Sequence, residues 1–387
     1  MNDIVITVGS AIGSALELVR SIKKEIACKA YILCTNQNAA KIISTSIFVD
    51  EVKLISSANE EEYVQNIKDW YERKSFNEKP ILYFTYDTAC FYINNNREWF
   101  EERFKICLPS TDIIKTFTQK GLAEKKAAEA GLVVPKTKIL EKLDDAKLIS
   151  ESFNFPVILK PRATYLNNGI GFKIKVISKK DDFLAFAEKS ILNGYSLLCQ
   201  EFIPGGDDVS YYYLFYRAID GSIVDNMGRK TLQSTPQGGI MAKGLVENNN
   251  ELVLISRKFL NRIDYKGIGG IEYKKNNGKY YFIEMSTRLE GFYKIAEISN
   301  SPLSLVSYYD LTENKEALQK AVSSKQMDGF IYMDFITTIA TRIKSHKYFK
   351  LIGELLTIVF DKKVKLNIYS RFDPKPFWLS LKTLIFK

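Results

Sequence analysis

The stretch Gly267 to Arg288, GIGGIEYKKNNGKYYFIEMSTR, constrains this chain more than any other. Two β-type runs flank Asn276-Asn277-Gly278, a strong hairpin signal. With those three residues as the loop and Gly278 left-handed, Glu284 pairs with Gly270. Glu272 then sits diagonally across from Glu284 on the same face of the sheet. Along the second strand Glu284, Ser286 and Arg288 share that face, while Ile283, Met285 and Thr287 point the other way. A two-residue turn would put the two glutamates on opposite faces, so the odd-length loop is part of the expectation. Two converging carboxylates with a guanidinium beyond them suit a hard cation bound to a phosphate chain. Mg²⁺ prefers oxygen ligands, and substrate phosphates complete its shell. The alternative is a solvent-facing hairpin with scattered charges.

At 387 residues the chain has room for two or three domains with real cores. Its 46% hydrophobic and 26% charged content is that of a globular protein rather than a disordered one. Five cysteines (28, 34, 90, 107 and 199) form no C-x-x-C pair, which argues against a zinc knuckle and a disulfide framework and implies a reduced, cytoplasmic compartment. His346 is the only histidine, so a Ser-His-Asp triad or a histidine metal site would depend on that one residue. No signal peptide and no membrane-spanning run is visible. The net charge of +10 is uneven: residues 341–387 carry eleven Lys/Arg against three Asp/Glu, and the rest is nearly neutral. A basic tail suits nucleic acid, anionic lipid or simple solubility. With no RNA or DNA motif beside it, nucleic acid is the weakest of the three.

Ile4 to Val8 reads as a buried parallel strand, followed by a glycine turn and a helix through Arg20. It opens a Rossmann-like unit without the G-x-G-x-x-G spacing, so no dinucleotide is assigned. Strand-like runs at Ala30–Cys34, Val52–Ile55 and Ile81–Tyr86 alternate with helical stretches, giving a small α/β domain over 1–110. Asp87, just past a strand's carboxyl end, either meets a ligand there or caps the next helix. A helical segment runs from Thr111 to Ala130 and stops at Gly131. Then Val157-Ile158-Leu159-Lys160-Pro161 forms a short apolar strand, and a loop ending in Gly169-Ile170-Gly171 leads back into a strand over Phe172–Ile177. Such a loop brings backbone N–H groups against phosphate oxygens while Lys160 supplies a point charge; a plain Gly/Asn-rich turn is the competing reading. Two antiparallel strands, Asp208–Ala218 and Ser222–Lys230, join through Asp220-Gly221. Near the end, Phe377, Trp378, Leu381, Leu384 and Ile385 line one side of an amphipathic helix that packs on its own protein or lies at a membrane interface.

The order of these motifs over roughly residues 1–310 resembles that of the ATP-grasp superfamily. Glu272, Glu284 and Arg288 fall on its E…(F/Y)-x-E-x-N-x-R magnesium hairpin, with Ser286, a shorter and weaker oxygen ligand, where asparagine is usual. The resemblance implies a pre-ATP-grasp α/β domain (1–110), an α+β nucleotide-binding part in two subdomains (111–200 with the lid loop, 201–310 with the metal hairpin) and a basic C-terminal helical extension (311–387). It implies that ATP and Mg²⁺, or Mn²⁺ in its place, are bound. Lys120 and Lys160 would reach the phosphates, Gly169 and Gly171 would belong to the lid, and Glu201, Phe202 and Ile203 would lie along the adenine. Gly228-Arg229-Lys230 and Gln233 resemble the carbamoyl-phosphate-synthase-like and D-aspartate-ligase-like branch, making Lys230, then Arg229, candidates to face the γ-phosphate or the activated carboxylate. The implied activity is ATP-dependent joining of a small-molecule carboxylate to an amine through an acyl phosphate, with an amino acid and a cell-envelope or polysaccharide precursor as plausible partners. Carboxyphosphate chemistry and a non-catalytic ATP-binding module are the alternatives. Residues 346–387 are the candidate for peripheral membrane contact, and the oligomeric state is not legible.

Overall fold

A computed structural model describes residues 1–119, 121–162, 171–172, 174–235 and 239–385, apart from the side chains of residues 384 and 385. Among the described residues, three sheets carry the chain. The first is parallel and holds β1 (Ile4–Val8), β2 (Ala30–Cys34), β3 (Glu51–Leu54), β4 (Ile81–Phe84) and β5 (Lys105–Ile106), in the order β3-β2-β1-β4-β5. The apolar runs of β1, β2 and β4 are buried along their whole length, as strands covered by helices on both faces must be. The order reverses beside β1, so a crevice opens at the carboxyl ends of β1 and β4.

The second sheet is antiparallel, β6 (Thr137–Leu140), β7 (Val157–Pro161), β8 (Lys175–Ile177) and β9 (Leu197–Glu201), in the order β6-β9-β7-β8. Helices Leu143–Ser152 and Lys180–Leu192 cover one face through Ile149, Phe183 and Ala187, which meet Leu159 and Cys199 of the sheet.

The third sheet holds β10 (Ser210–Arg217), β11 (Ile223–Gln233), β12 (Met241–Val246), β13 (Gly267–Asn276), β14 (Lys279–Ser286), β15 (Ile331–Met333) and β16 (Val364–Leu366). Their order is β14-β13-β10-β11-β12-β15-β16, antiparallel except for the last pair. Along β10, Tyr213 and Phe215 pack with Phe259 and Phe282 on one face, while Tyr212, Leu214 and Tyr216 join a core with Phe292, Ile295 and Leu303 on the other. The period-2 alternation of an aromatic strand thus feeds two cores at once.

Several expectations need correction. The stretch 111–130 is two helices, Thr111–Phe117 and Leu122–Glu129, broken where Gly121 takes a φ of +89° and its N–H meets the Glu124 carboxylate. The strand after the glycine loop is only Lys175–Ile177. The C-terminal part is not purely helical, because β15 and β16 extend the third sheet. Of the two readings of the last helix, Lys375–Ile385, packing on its own protein is the one seen: Phe377 is buried with its ring 5.4 Å from that of Tyr369 and 5.9 Å from that of Phe335. Ahead of it, Asp373 is buried and accepts from Arg20 at 2.8 and 3.0 Å and from Ser46 at 2.6 Å. Among the described residues, no helix is long and apolar enough to cross a membrane.

Candidate active site

The hairpin brings its glutamates together by a different route from the one expected. The turn has two residues, Asn277 and Gly278, both with positive φ (+47° and +75°), as a type I′ turn requires. Asn276 opposes Lys279, and the pairing runs regularly to Tyr273 and Phe282. Ile283 is then an extra residue in β14, a bulge that shifts the ladder by one. Glu272 comes to lie directly opposite Glu284, not diagonally, and Gly270 opposes Ser286 rather than Glu284. The odd residue that keeps both carboxylates on one face sits in the strand, not in the loop.

Lys230 on β11 reaches the same place. Its ammonium lies 2.5 Å from a Glu272 carboxylate oxygen, and its side chain is 3% exposed against 19% for the glutamate. Glu290 arrives from beyond β14 and lies over Gly270, where an added Cβ would stand 2.9 Å from Glu290 Cγ. Burial pushes the Glu272 carboxyl up to about 7; the Lys230 charge opposes this, and the negative charges of Glu284 and Glu290 add to it. Excess negative charge on a half-closed face is what a divalent cation would relieve. Among the described residues no cluster of three or more His, Cys, Asp or Glu could hold a metal ion. Glu272 and Glu284 supply two oxygen donors, and an ion held there would draw its remaining ligands from phosphate oxygens and water, the usual habit of Mg²⁺.

Glu284, Ser286 and Arg288 line one wall of a cleft, and Asp87, Thr118 and Glu124 line the facing side. Arg288 closes its end with a fork onto Asp87, Nε to Oδ1 at 2.7 Å and Nη2 to Oδ2 at 3.3 Å. Burial works against the Arg288 charge, but the Asp87 and Glu290 carboxylates outweigh it and hold the guanidinium firmly protonated. Asp87 is the first residue of helix Asp87–Asn95, and its carboxylate meets the arginine at the carboxyl end of β4. The segment after β14 is pinned to that crevice by Leu289 N–H donating to Phe84 O at 3.1 Å and Ser14 Oγ donating to Glu290 O at 2.6 Å.

Glu124 links this cleft to Lys160. Gln200 donates to Glu124 Oε1 at 3.3 Å and accepts from the Lys160 ammonium at 2.8 Å, and all three side chains are buried. Lys120 and Gly169 lie outside the described residues. Gly171 has a φ of +42° and open space where a side chain would be, as a loop glycine that tolerates close approach should. Glu201 ends β9 with its carboxylate accepting from the Lys136 N–H at 3.1 Å, and Phe202 has the Lys274 ammonium 5.5 Å from its ring centre. Ile203, next in the chain, is buried in the protein.

Arg229 departs from expectation most clearly. Being next to Lys230 on a strand, it faces the opposite side, where it donates to Glu247 at 2.9 and 3.2 Å. Glu124 and Gln200 are the participants that sequence reasoning did not single out. Glu290 carried one signal, its place two residues beyond Arg288.

No protein-family model matches the chain. It is 25% identical over 215 residues to biotin carboxylase 1 of Bacillus subtilis, a match covering 49% of this chain and 44% of that protein. A 26% match over 207 residues to urea amidolyase of Saccharomyces cerevisiae covers 49% of this chain and 11% of that protein. The matched region thus spans less than half the length of these curated relatives. Among solved structures, N5-carboxyaminoimidazole ribonucleotide synthetase from Thermus thermophilus superposes with a TM-score of 0.62 at 13% identity, covering 80% of this chain and 78% of that one. The biotin carboxylase domain of Hydrogenobacter thermophilus 2-oxoglutarate carboxylase, bound to MgADP, ADP and bicarbonate, gives 0.62 at 16% identity, covering 81% and 70%. An L-amino acid ligase from Bacillus licheniformis gives 0.60 at 12% identity, covering 84% and 76%.

Proposed function

We propose that this chain, which has the ATP-grasp fold, is a ligase that uses ATP to activate a carboxylate and joins it to an amine. The observation that carries this is the pairing of Glu272, held by Lys230, with Glu284, which itself lines the cleft that Arg288 and Asp87 close. A carboxylate is a poor acyl donor, because its leaving group would be oxide. Transfer of the γ-phosphoryl group gives an acyl phosphate, which an amine attacks with release of phosphate. The protein's share is positioning and charge neutralisation.

In this reading Glu272 and Glu284 hold Mg²⁺, with Ser286 as a weaker third oxygen. The ion's contribution is to screen the charge of the phosphate chain. Lys230, which holds Glu272 at 2.5 Å, would be free to face the transferred phosphoryl group when Glu272 serves a cation. Arg288, held by Asp87, Glu290 and the Leu289 carbonyl, lends its positive charge to the activated carboxylate. Lys160, anchored on Gln200, meets the phosphates from the second sheet together with Lys120. Residues 1–110 contribute the acceptor side, 111–200 and 201–310 enclose the nucleotide, and 311–387 form the basic extension.

The finer substrate reading is an amino acid joined to a cell-envelope or polysaccharide precursor; similarity to an L-amino acid ligase supports the first half of it. With such an acceptor the work is done beside a membrane, which the basic segment 346–387 suits. A second reading, activation of bicarbonate as carboxyphosphate, is favoured by the similarity to biotin carboxylases. A phosphate-release screen with ATP, Mg²⁺ and arrays of amino acids, sugar acids and bicarbonate tests both. Release stimulated by an organic acid supports the ligase, and release stimulated by bicarbonate alone supports the alternative. ATP binding with no stimulated release would leave only a nucleotide-binding module.

A further inference from the structure

The helix Tyr348–Phe360 is turned inside out relative to an ordinary surface helix. Its single buried side chain is Glu354, and its most apolar face looks outward. Phe349 is 92% exposed, Val359 74% and Phe360 79%, and Ile352 and Leu356 are also exposed. Spaced three and four residues apart, these side chains form one stripe along the helix. An ion cluster around the buried Glu354 fixes the orientation. Arg342 donates to Glu354 at 2.5 and 2.9 Å, and Lys243 of β12 lies 3.7 Å away. Rotating the stripe inward would carry Glu354 into water and leave Arg342 and Lys243 without their partner.

We infer that this stripe docks the protein on an anionic lipid surface, with the helix lying in the interfacial plane. Exposed Lys344, Lys347 and Lys350 precede or begin the helix, and exposed Lys362 and Lys363 follow it. The acids of the same stretch are Glu354, which is turned inward and paired, and Asp361, which accepts from the Lys363 N–H at 2.8 Å. An apolar strip with lysines at both ends is complementary to acyl chains beneath a negatively charged headgroup layer. A second copy of this chain on the same stripe would set lysines against lysines. Thirteen residues make a helix about 20 Å long, which suits lying in the interface and is too short to span a bilayer. The inference does not depend on the ligase reading, since the stripe lies apart from the cleft residues.

Co-sedimentation of the full chain with phosphatidylcholine vesicles, with and without about 30% phosphatidylglycerol, tests it. Binding is expected to the anionic vesicles, at least about tenfold above neutral ones, and to weaken as salt is raised. The pair Ile352→Glu and Leu356→Glu should abolish it, and Lys347→Glu with Lys350→Glu should weaken it about tenfold or more. Circular dichroism and basal ATP turnover should be unchanged in both variants, because these side chains touch solvent. Equal affinity for neutral vesicles, failure of the wild type to bind, or binding that survives the Ile352/Leu356 pair would overturn the inference. So would a solution dimer, seen by light scattering, that the same pair converts to monomers.

Discussion

Replacing Lys230 with methionine tests the charge balance at the centre of the site. Removing one partner of a buried ion pair ordinarily costs about 3–5 kcal/mol, because the other charge is left uncompensated. Glu272 has an escape: its carboxyl is pushed up to about 7, and the Lys230 charge is what holds it from going higher. Without that ammonium the carboxyl keeps its proton further into the alkaline range, against Glu284 and Glu290. The unfolded chain releases this proton near the ordinary 4.5, so above that value the native state binds more protons than the unfolded state. Both proteins therefore lose stability as pH rises to about 7, and the difference between them stays constant there. Above about 7 the wild type has released its proton and this loss stops. The variant goes on losing about 1.4 kcal/mol per pH unit. The gap should widen as pH rises above about 7, toward the full cost of the broken pair, about 3–5 kcal/mol. Urea melts of both proteins without metal or nucleotide, at unit steps from about pH 6 to about pH 9, measure it. Other titrating groups, including Glu297, are common to both proteins and cancel in the difference. A gap that does not change with pH would refute the charge coupling between Lys230 and Glu272.

Two further predictions follow from the placement of arginines. Arg229→Ala, which removes a partly exposed contact with Glu247, should cost about 1 kcal/mol or less in a denaturant melt and leave ATP turnover within about twofold of wild type; a loss as large as that of the Lys230 variant would mean that the two neighbours act together. Arg20→Ala strands the fully buried Asp373 carboxylate and should cost about 3–5 kcal/mol in the same melt, with earlier proteolysis of residues 373–385. A loss under about 1 kcal/mol would show that the terminal helix holds without this anchor.

The parts of the fold legible in the sequence are those where local pattern and burial agree. The buried runs of β1, β2 and β4, and the Asn-Gly turn between β13 and β14, announce themselves. The bulge at Ile283 does not, because an extra residue in an apolar run leaves the composition unchanged while reversing every face beyond it. Counting from the turn therefore reached the correct face for Glu272 and Glu284 by placing the odd residue in the loop. Strands β15 and β16, of three residues each, are too short to carry a period, so the C-terminal part read as helical only. The anchor of the terminal helix joins residues 353 positions apart, and Glu124 enters the cleft network through Gln200, 76 positions away. Contacts of that range leave no local trace. The choice between Arg229 and Lys230 was open in composition, and strand alternation lets only one of them face Glu272.

The most direct measurement is Mg²⁺-dependent ATP turnover in Glu284→Gln, read beside its thermal unfolding. Glu284 is exposed at the rim of the cleft, so the fold should be retained, while turnover should fall by about a hundredfold or more. Turnover like that of the wild type in a folded Glu284→Gln protein would contradict the assignment of Glu272 and Glu284 as a cation-binding pair.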